Sequence, residues 1–251
     1  MSRAQSLAGR EVAGSAAYVE IEPGAARLAG VECFWIGGRS GDPHFEILPD
    51  GCIDVVFELA PARSRVLLFG TTTRSTAFAV APEAEYFGLR FQPGCAPAAL
   101  PVRPAEIADR HEDLPDFMGI GADQLRDAGT ATARRALLGA RLTAIAGPLR
   151  ETVVLRAVRL IRRHRGRIGI ADLARACNIG ARQLERQFVQ QIGVSPKALC
   201  RFTRLRCAFD AFAGRAHRNL ADLAAELGYA DQSHFIHDFK SLTGRTPGAA
   251  G

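Results

Sequence analysis

The sequence lacks the features that mark membrane-spanning, secreted or disulfide-stabilised proteins. No apolar run reaches the ~18 residues that a helix needs to cross a bilayer. Residues 1–20 contain no apolar segment of the kind found in signal peptides. The six cysteines form no C-x-x-C pair, which favours free thiols in a reducing compartment over a disulfide framework. We therefore expect a cytoplasmic protein that has no membrane partner.

Charge is unevenly distributed along the chain, which at 251 residues is long enough for two domains. From Thr152 onward there are 17 Lys and Arg against 7 Asp and Glu, a net charge of +10. The first 151 residues have a net charge of −4. A basic part behind a mildly acidic part is typical of a DNA-binding domain joined to a domain of another kind, although an arginine-rich solvated surface gives the same count.

The basic part of the chain contains one helical pattern twice. In the second copy, LADLAAELG (220–228) predicts a short amphipathic helix, and a tight turn with an N-cap at Asp231 then leads into a second helix, QSHFIHDFKSL. The first copy, IADLARACNIG (170–180), matches at an offset of 50 residues, and the offset becomes 51 after the turn. Two short helices joined by a tight turn and present in duplicate predict a pair of helix-turn-helix units.

The second helix of each copy divides into a buried and an exposed face. Leu184 and Phe188 of the first copy correspond to Phe235 and Phe239 of the second, so these side chains are expected to face a core. The opposite faces carry hydrogen-bonding groups, which are Arg182, Gln183, Glu185 and Arg186 in the first copy and Gln232, Ser233, His234 and His237 in the second. Arg can pair with guanine and Gln with adenine through two hydrogen bonds, so these positions are suited to reading base edges.

The two units resemble the paired helix-turn-helix domain of AraC/XylS-type transcription regulators. GYADQSHFIHDFKSLTGRTP (228–247) is similar to that family's C-terminal signature, and the resemblance covers the chain from residue 151 onward. It implies a transcription regulator, such as an activator, that binds double-stranded promoter DNA sequence-specifically and reads two successive major-groove segments. Neither catalysis nor a cofactor or metal is implied.

The resemblance also implies which residues contact DNA. In this family, bases are contacted from the positions of Arg182, Glu185 and Arg186. His237 stands where the family usually has Arg or Lys, and a neutral His would attract phosphate less strongly. Further phosphate contacts, which position a protein without reading sequence, are expected from Lys240, Arg201 and Arg204.

Short apolar segments cut by Gly, Pro and Asp occupy the region from residue 17 to residue 91. Their spacing predicts an all-β barrel or sandwich. The predicted strands are Val31–Ile36, His44–Leu48, Ile53–Ala60, Arg65–Gly70, Thr76–Ala81 and Glu85–Phe91. In the family that the C-terminal part resembles, such a domain is a cupin-like sensing module, so a small-molecule effector is a candidate ligand.

Residues 104–149 have a helical pattern, which Pro115 interrupts in its acidic first part. In the family this region often supplies a dimer helix and a linker, and the competing interpretation is that these helices simply cover the barrel. We expect an α+β protein of two domains, with a cupin-like domain over 1–125, a linker and candidate dimer helix over 126–150, and an all-α double helix-turn-helix domain over 151–251. A homodimer and contact with RNA polymerase are expected by the same analogy.

The alternative is a regulator fused to a metal- or cysteine-based enzyme or sensor in the N-terminal domain. A metal-dependent cupin needs three or four converging ligands, and the isolated His44 and His111 do not supply them. Cys33, Cys52 and Cys95 lie in or beside predicted strands and would be the residues of a thiol sensor. No flanking cation lowers a thiol pKa there, and buried cysteine acts as a small apolar residue, so we expect neither catalysis nor a metal site.

Overall fold

The computed structural model describes residues 18–38, 44–96, 100–146, 149–214 and 219–249. Within these ranges the strands are β1 (Val19–Ile21), β2 (Val31–Gly37), β3 (His44–Ile47), β4 (Ile53–Leu59), β5 (Arg65–Phe69), β6 (Thr76–Ala79), β7 (Glu85–Phe91) and β8 (His111–Leu114). The α-helices are α1 (Pro104–Ile107), α2 (Ala122–Asp127), α3 (Ala131–Ala146), α4 (Val153–Arg163), α5 (Ile170–Ala176), α6 (Ala181–Ile192), α7 (Pro196–Gly214), α8 (Leu220–Glu226) and α9 (Gln232–Thr243). In the described parts of the chain, no helix is both long enough and apolar enough to span a membrane.

The N-terminal strands form an open sandwich. The larger sheet is antiparallel with the strand order β1-β2-β7-β4-β5-β8, and β3 pairs with β6 in a separate two-stranded ribbon. The larger sheet ends at the edge strands β1 and β8 and does not close on itself. Every predicted strand is formed, and of the two predicted architectures the sandwich is the correct one.

Each face of the larger sheet has its own core because successive side chains along a strand point to opposite faces. Phe34 and Phe87 point to one face, where they pack with helix residues such as Leu138 of α3. Trp35 points to the other face and packs beneath the ribbon with Phe45. The sheet is therefore the middle layer of three, between helices on one side and the ribbon on the other.

A glycine in the middle of β7 makes room for the single tryptophan. A Cβ atom at Gly88 would lie 1.8 Å from the indole ring of Trp35. The indole Nε1 donates a hydrogen bond to Asp54 Oδ1 at 2.8 Å, and Arg90 Nε donates to the same oxygen at 3.1 Å. Trp35 thus lies against the backbone of its neighbouring strand and is held there by the half-buried carboxylate of Asp54.

The acidic segment after Pro104 corrects the helical prediction for this region. The sequence predicts a broken helix there, whereas the structure ends α1 after one turn at Ile107 and continues as the strand β8. His111 pairs with Phe69 and Leu114 with Val66 along the outer edge of β5. The strand exists because β5 offers unpaired backbone groups, and the local sequence HEDL carries no apolar alternation that predicts it.

Helix α3 covers the sheet with one face and exposes the other. Leu138 and Leu142 are buried in the core of the N-terminal domain, and Arg134 donates to Glu85 of β7 at 3.1 Å. Leu137 is 39% exposed on the opposite face. The covering role predicted for these helices is therefore present, and the exposed face leaves the dimer role as a prediction.

The C-terminal helices share one core. Val158 of α4, Phe188 of α6, Phe202 of α7 and Phe239 of α9 all belong to it. Thr152 caps α4 by accepting from the Leu155 N–H at 3.1 Å, and the apolar face of α4 closes the first unit as predicted. Both pairs of short helices are thereby packed against the long helix α7, which connects them.

Candidate nucleic-acid interface

Both predicted helix-turn-helix units form, and their boundaries repeat at the predicted offsets. α5 and α8 differ by 50 residues at both ends, and α6 and α9 differ by 51. One residue in each turn is left-handed, Asn178 with φ 57° and Gly228 with φ 77°. The following N–H groups, of Ile179 and Tyr229, close the turns onto the preceding helix at 3.1 and 2.9 Å. Ala230 is the additional residue that changes the offset.

Helix α6 is the second helix of the first unit and separates apolar from polar side chains. It begins after Gly180, which is extended at φ −73° and ψ 148°. Leu184, Phe188 and Ile192 are buried in the C-terminal core. The exposed residues include the four predicted to read DNA, which are Arg182, Gln183, Glu185 and Arg186. Their exposure follows the prediction, and their contact with bases remains a prediction.

Helix α9 is the equivalent helix of the second unit. The Asp231 carboxylate caps it by accepting from the His234 N–H at 2.7 Å, as the sequence predicts. Phe235 and Phe239 are buried. The exposed residues include the predicted set of Gln232, Ser233, His234, His237 and Lys240. Unlike α6, this exposed row carries no guanidinium group.

A buried carboxylate fixes α9 to the connecting helix. Asp238 is 7% exposed and accepts from Arg201 Nε at 2.6 Å and from the Tyr229 hydroxyl at 2.8 Å. Arg204 Nη2 lies 3.7 Å from the same carboxylate, and its guanidinium carbon lies 4.7 Å from the centre of the Tyr229 ring. Arg204 Nη1 also donates to the Gly166 carbonyl at 2.9 Å. The network therefore ties α7 to both units.

This network differs from the role predicted for two arginines. The sequence predicts phosphate contacts for Arg201 and Arg204, whereas the structure directs both guanidinium groups to Asp238, with side-chain exposures of 31% and 18%. Position on an arginine-rich helix does not reveal that a carboxylate of another helix faces it. Their phosphate contact stays a prediction, and base reading by the exposed residues of α6 and α9 does not require it.

Sequence reasoning misses Asp238 and Tyr229, although a signal for the first is present. Asp238 follows Phe235 by three positions and precedes Phe239 directly, so the helical period places it at the border of the buried face. A carboxylate at such a position requires a buried cationic or donor partner. Burial raises the pKa of Tyr229 to about 12, so its hydroxyl remains a donor to Asp238 at neutral pH.

The cysteines of the N-terminal domain are buried. Cys33, Cys52 and Cys95 are buried free thiols. Burial raises the pKa of Cys33 to about 12 and that of Cys95 to about 11, and it raises the pKa of Cys52 well above its ordinary value. Within the described ranges, no three His, Cys, Asp or Glu side chains are grouped closely enough to hold a metal ion.

Comparison with protein families places the paired units in a known class. Residues 173–250, from the middle of α5 to the end of α9 and beyond, match the family model described as a helix-turn-helix domain, which is of AraC type. The chain therefore contains an AraC-type helix-turn-helix domain and is a DNA-binding transcription regulator. Residues 19–113 of this regulator match a second model, described as a domain of unknown function (DUF6597). Among curated proteins, no relative matches the regulator.

Three solved structures similar to the regulator cover from 39% to 80% of this chain. The C-terminal domain of AraT, a response regulator from Geobacillus stearothermophilus, is 24% identical over 39% of this chain and 82% of that chain, with a TM-score of 0.37. A probable AraC family transcriptional regulator from Rhodopseudomonas palustris is 24% identical over 39% of this chain and 92% of that chain, with a TM-score of 0.35. ToxT from Vibrio cholerae is 10% identical over 80% of this chain and 89% of that chain, with a TM-score of 0.44.

The buried thiols of this regulator give a test of the thiol-sensor alternative. We expect iodoacetamide at neutral pH to modify the half-buried Cys207 of α7 first and to leave Cys33, Cys52 and Cys95 unmodified, because burial keeps these three thiols protonated. Peptide mass mapping of the folded protein measures this order, with the urea-unfolded chain as the control in which every cysteine reacts. Modification of an N-terminal thiol ahead of Cys207 would favour the sensor alternative.

Proposed function

We propose that this regulator binds promoter DNA sequence-specifically by placing α6 and α9 in two successive major-groove segments. The supporting observation is that both helices bury one face in the same core and expose a row of hydrogen-bonding side chains on the other. Each of these helices follows a short helix and a tight turn, which is the arrangement that presents a recognition helix to a major groove.

The two rows imply different chemistry at the two half-sites. On α6, Arg182 and Arg186 can each donate two hydrogen bonds to guanine, and Glu185 can accept from cytosine N4. The exposed row of α9 is Gln232, Ser233, His234 and His237, with Lys240 at its end for a phosphate. The first row carries two guanidinium groups and one carboxylate and the second carries Lys240, so each row has a net charge of +1 and we expect both units to contribute to the salt-dependent affinity.

The proposal is tested by binding of the full chain to the DNA upstream of its own gene and to random duplexes, across a salt series. We expect a preference of about 10³-fold or more for the specific duplex at physiological salt, which is the lower end for specific regulators. Selection from a random-sequence pool then defines the two half-sites. Equal affinity for specific and random duplexes would contradict sequence-specific reading and would favour an architectural DNA-binding protein.

The N-terminal domain is proposed to sense a small-molecule effector and to mediate dimer formation, without a catalytic step. α3 exposes Leu137 at 39% and Ile145 at 47%, with Ala136, Ala140 and Ala144 also exposed along the helix. An apolar face of this kind suits packing against the same helix of a second chain. RNA polymerase is the further partner that activation would require.

The dimer gives a prediction with a simple readout. Leu137→Glu places a charge on the exposed face of α3 and is expected to convert a dimer to a monomer without loss of helix content. Sedimentation equilibrium of the full chain measures the mass, and Thr132→Glu, an exposed position on the first turn of the same helix, is the control. A wild-type chain that sediments as a monomer would contradict the dimer.

A further inference from the structure

The loop Gly70–Ser75, which joins β5 to β6, touches the ends of both proposed recognition helices. At its start, the Thr71 hydroxyl donates to the carbonyl oxygen of Ile192, the last residue of α6, at 2.7 Å. At its end, the Ser75 N–H donates to the carbonyl oxygen of Leu242 in the last turn of α9 at 2.6 Å. Carbonyl groups at the end of a helix have no partner within the helix, so this loop satisfies one such group on each recognition helix.

The loop is held rigidly by the N-terminal domain. The Thr73 N–H and hydroxyl donate to the two oxygens of Asp109 at 2.6 and 2.8 Å. The Gly70 N–H donates to the Arg110 carbonyl, and the Asp109 N–H donates to the Thr71 carbonyl, both at 3.0 Å. These hydrogen bonds to the N-terminal domain therefore fix the loop backbone between the two recognition helices.

The N-terminal domain is also docked firmly on the helical domain. The Thr71 side chain at the centre of the contact is completely buried. Ion pairs among the described residues cross the boundary, including Arg162 with Glu32 at 3.1 Å and Arg245 with Glu46 at 2.9 Å. The loop is consequently fixed between the C-terminal ends of α6 and α9.

In the proposed binding mode, the space between α6 and α9 faces a particular part of the DNA. Two successive major-groove segments on one face of a duplex are separated by a minor groove and the phosphates on its two sides. Arg74 is exposed near the end of the loop, and it forms no ion pair within the described parts of the chain. Arg74 is the only charged residue of the loop.

We propose that Arg74 of the N-terminal domain is a third DNA contact, made to the phosphates beside the minor groove between the two major-groove segments. The domain that carries the β-sandwich thus contributes directly to the DNA-binding surface. This inference rests on the proposed function above, and it adds a residue from outside the helix-turn-helix domain. Any change in the N-terminal domain that shifts the loop would alter this contact and the ends of both recognition helices together.

The test compares Arg74→Ala with Arg63→Ala in the full chain. Arg63 is exposed in the turn before β5, at the opposite end of the strand that leads to Arg74, so the two variants lose the same charge at different ends of the domain. We expect Arg74→Ala to lower affinity about 3- to 10-fold at low salt and to reduce the salt slope by about 1, on specific and random duplexes alike. Arg74→Lys should restore the slope, because a phosphate contact needs a cation and not a planar fork.

Ethylation interference on the specific duplex locates the contact. We expect ethylation of phosphates between the two half-sites to weaken binding of the wild-type chain and of Arg63→Ala but not of Arg74→Ala. Identical salt slopes for Arg74→Ala and Arg63→Ala would overturn the proposal, as would an interference pattern that Arg74→Ala leaves unchanged. If the wild-type chain showed no sequence preference, the proposed function would be overturned. The Arg74 contact would still be tested, because the salt slope is measured on random duplexes as well.

Discussion

Arg186→Ala is expected to remove most of the sequence preference contributed by the first unit, a loss of about 10- to 100-fold on the specific duplex. Arg186 is exposed on α6 two positions after the buried Leu184, so its side chain can enter a groove while the core remains intact. A guanidinium group that pairs with guanine through two hydrogen bonds loses both in the alanine variant. Affinity for random duplexes should fall far less, because only one positive charge is lost.

The control for Arg186→Ala is Arg175→Ala on α5. Arg175 is also exposed, and it pairs with Asp172 one turn away at 2.8 Å. Both variants lose one positive charge from the helical domain, so a general electrostatic effect would lower binding equally in both. Equal losses on specific and random DNA in the two variants would show that Arg186 does not read a base.

Gln232→Ala separates the second unit from the first. Gln232 is exposed at the start of α9 and carries no charge, so its replacement is expected to reduce the preference for the second half-site by about tenfold. The dependence of affinity on salt should not change, because no ionic contact is lost. If Arg186→Ala reduces the preference and Gln232→Ala does not, the second unit acts chiefly as a phosphate clamp.

Asp238→Ala is expected to lower the free energy of unfolding by about 3–5 kcal/mol, the usual cost of removing one partner from a buried ion pair. The variant leaves the buried Tyr229 hydroxyl without its acceptor and the guanidinium groups of Arg201 and Arg204 without their carboxylate. A buried donor without a partner adds its own desolvation cost. Urea unfolding followed by far-ultraviolet circular dichroism measures the change, since α4 to α9 supply much of the helix.

The matched control is Asp210→Ala, which removes a carboxylate from an exposed position of α7. Exposed substitutions of this kind change stability by less than about 0.5 kcal/mol. A change of less than about 1 kcal/mol for Asp238→Ala would contradict the view that this carboxylate joins α9 to α7. In that case the orientation of the second unit would depend on the apolar core alone.

Much of the helical domain is predictable from sequence because its helices are defined by patterns among residues close together in the chain. The apolar positions of α6 and α9 recur with the helical period, the N-cap of α9 is a local Asp231 contact, and the duplication fixes the equivalent residues in the two units. The exposed rows follow from the same periodicity, so the sequence identifies the residues proposed to read DNA without the structure.

The N-terminal domain shows where local pattern is insufficient. Its apolar segments predict the strands, but alternation along a strand says nothing about which strands pair, so it does not distinguish a barrel from an open sandwich. No pattern in the sequence predicts β8, because this strand exists only through pairing with the edge of β5. The sequence likewise does not predict the ion pairs of Arg201 and Arg204, because their partner Asp238 belongs to a different helix.

The sequence by itself determined the helix-turn-helix pair and the exposed faces of α6 and α9, since both depend on residues close together in the chain. The tertiary structure decided which arginines form ion pairs with distant carboxylates, as Arg201 and Arg204 do with Asp238, because burial and ion pairing depend on residues far apart. It also decided that the loop after β5 ends between α6 and α9. Thr71 lies 121 residues from its partner Ile192, and no local pattern in the sequence relates the two.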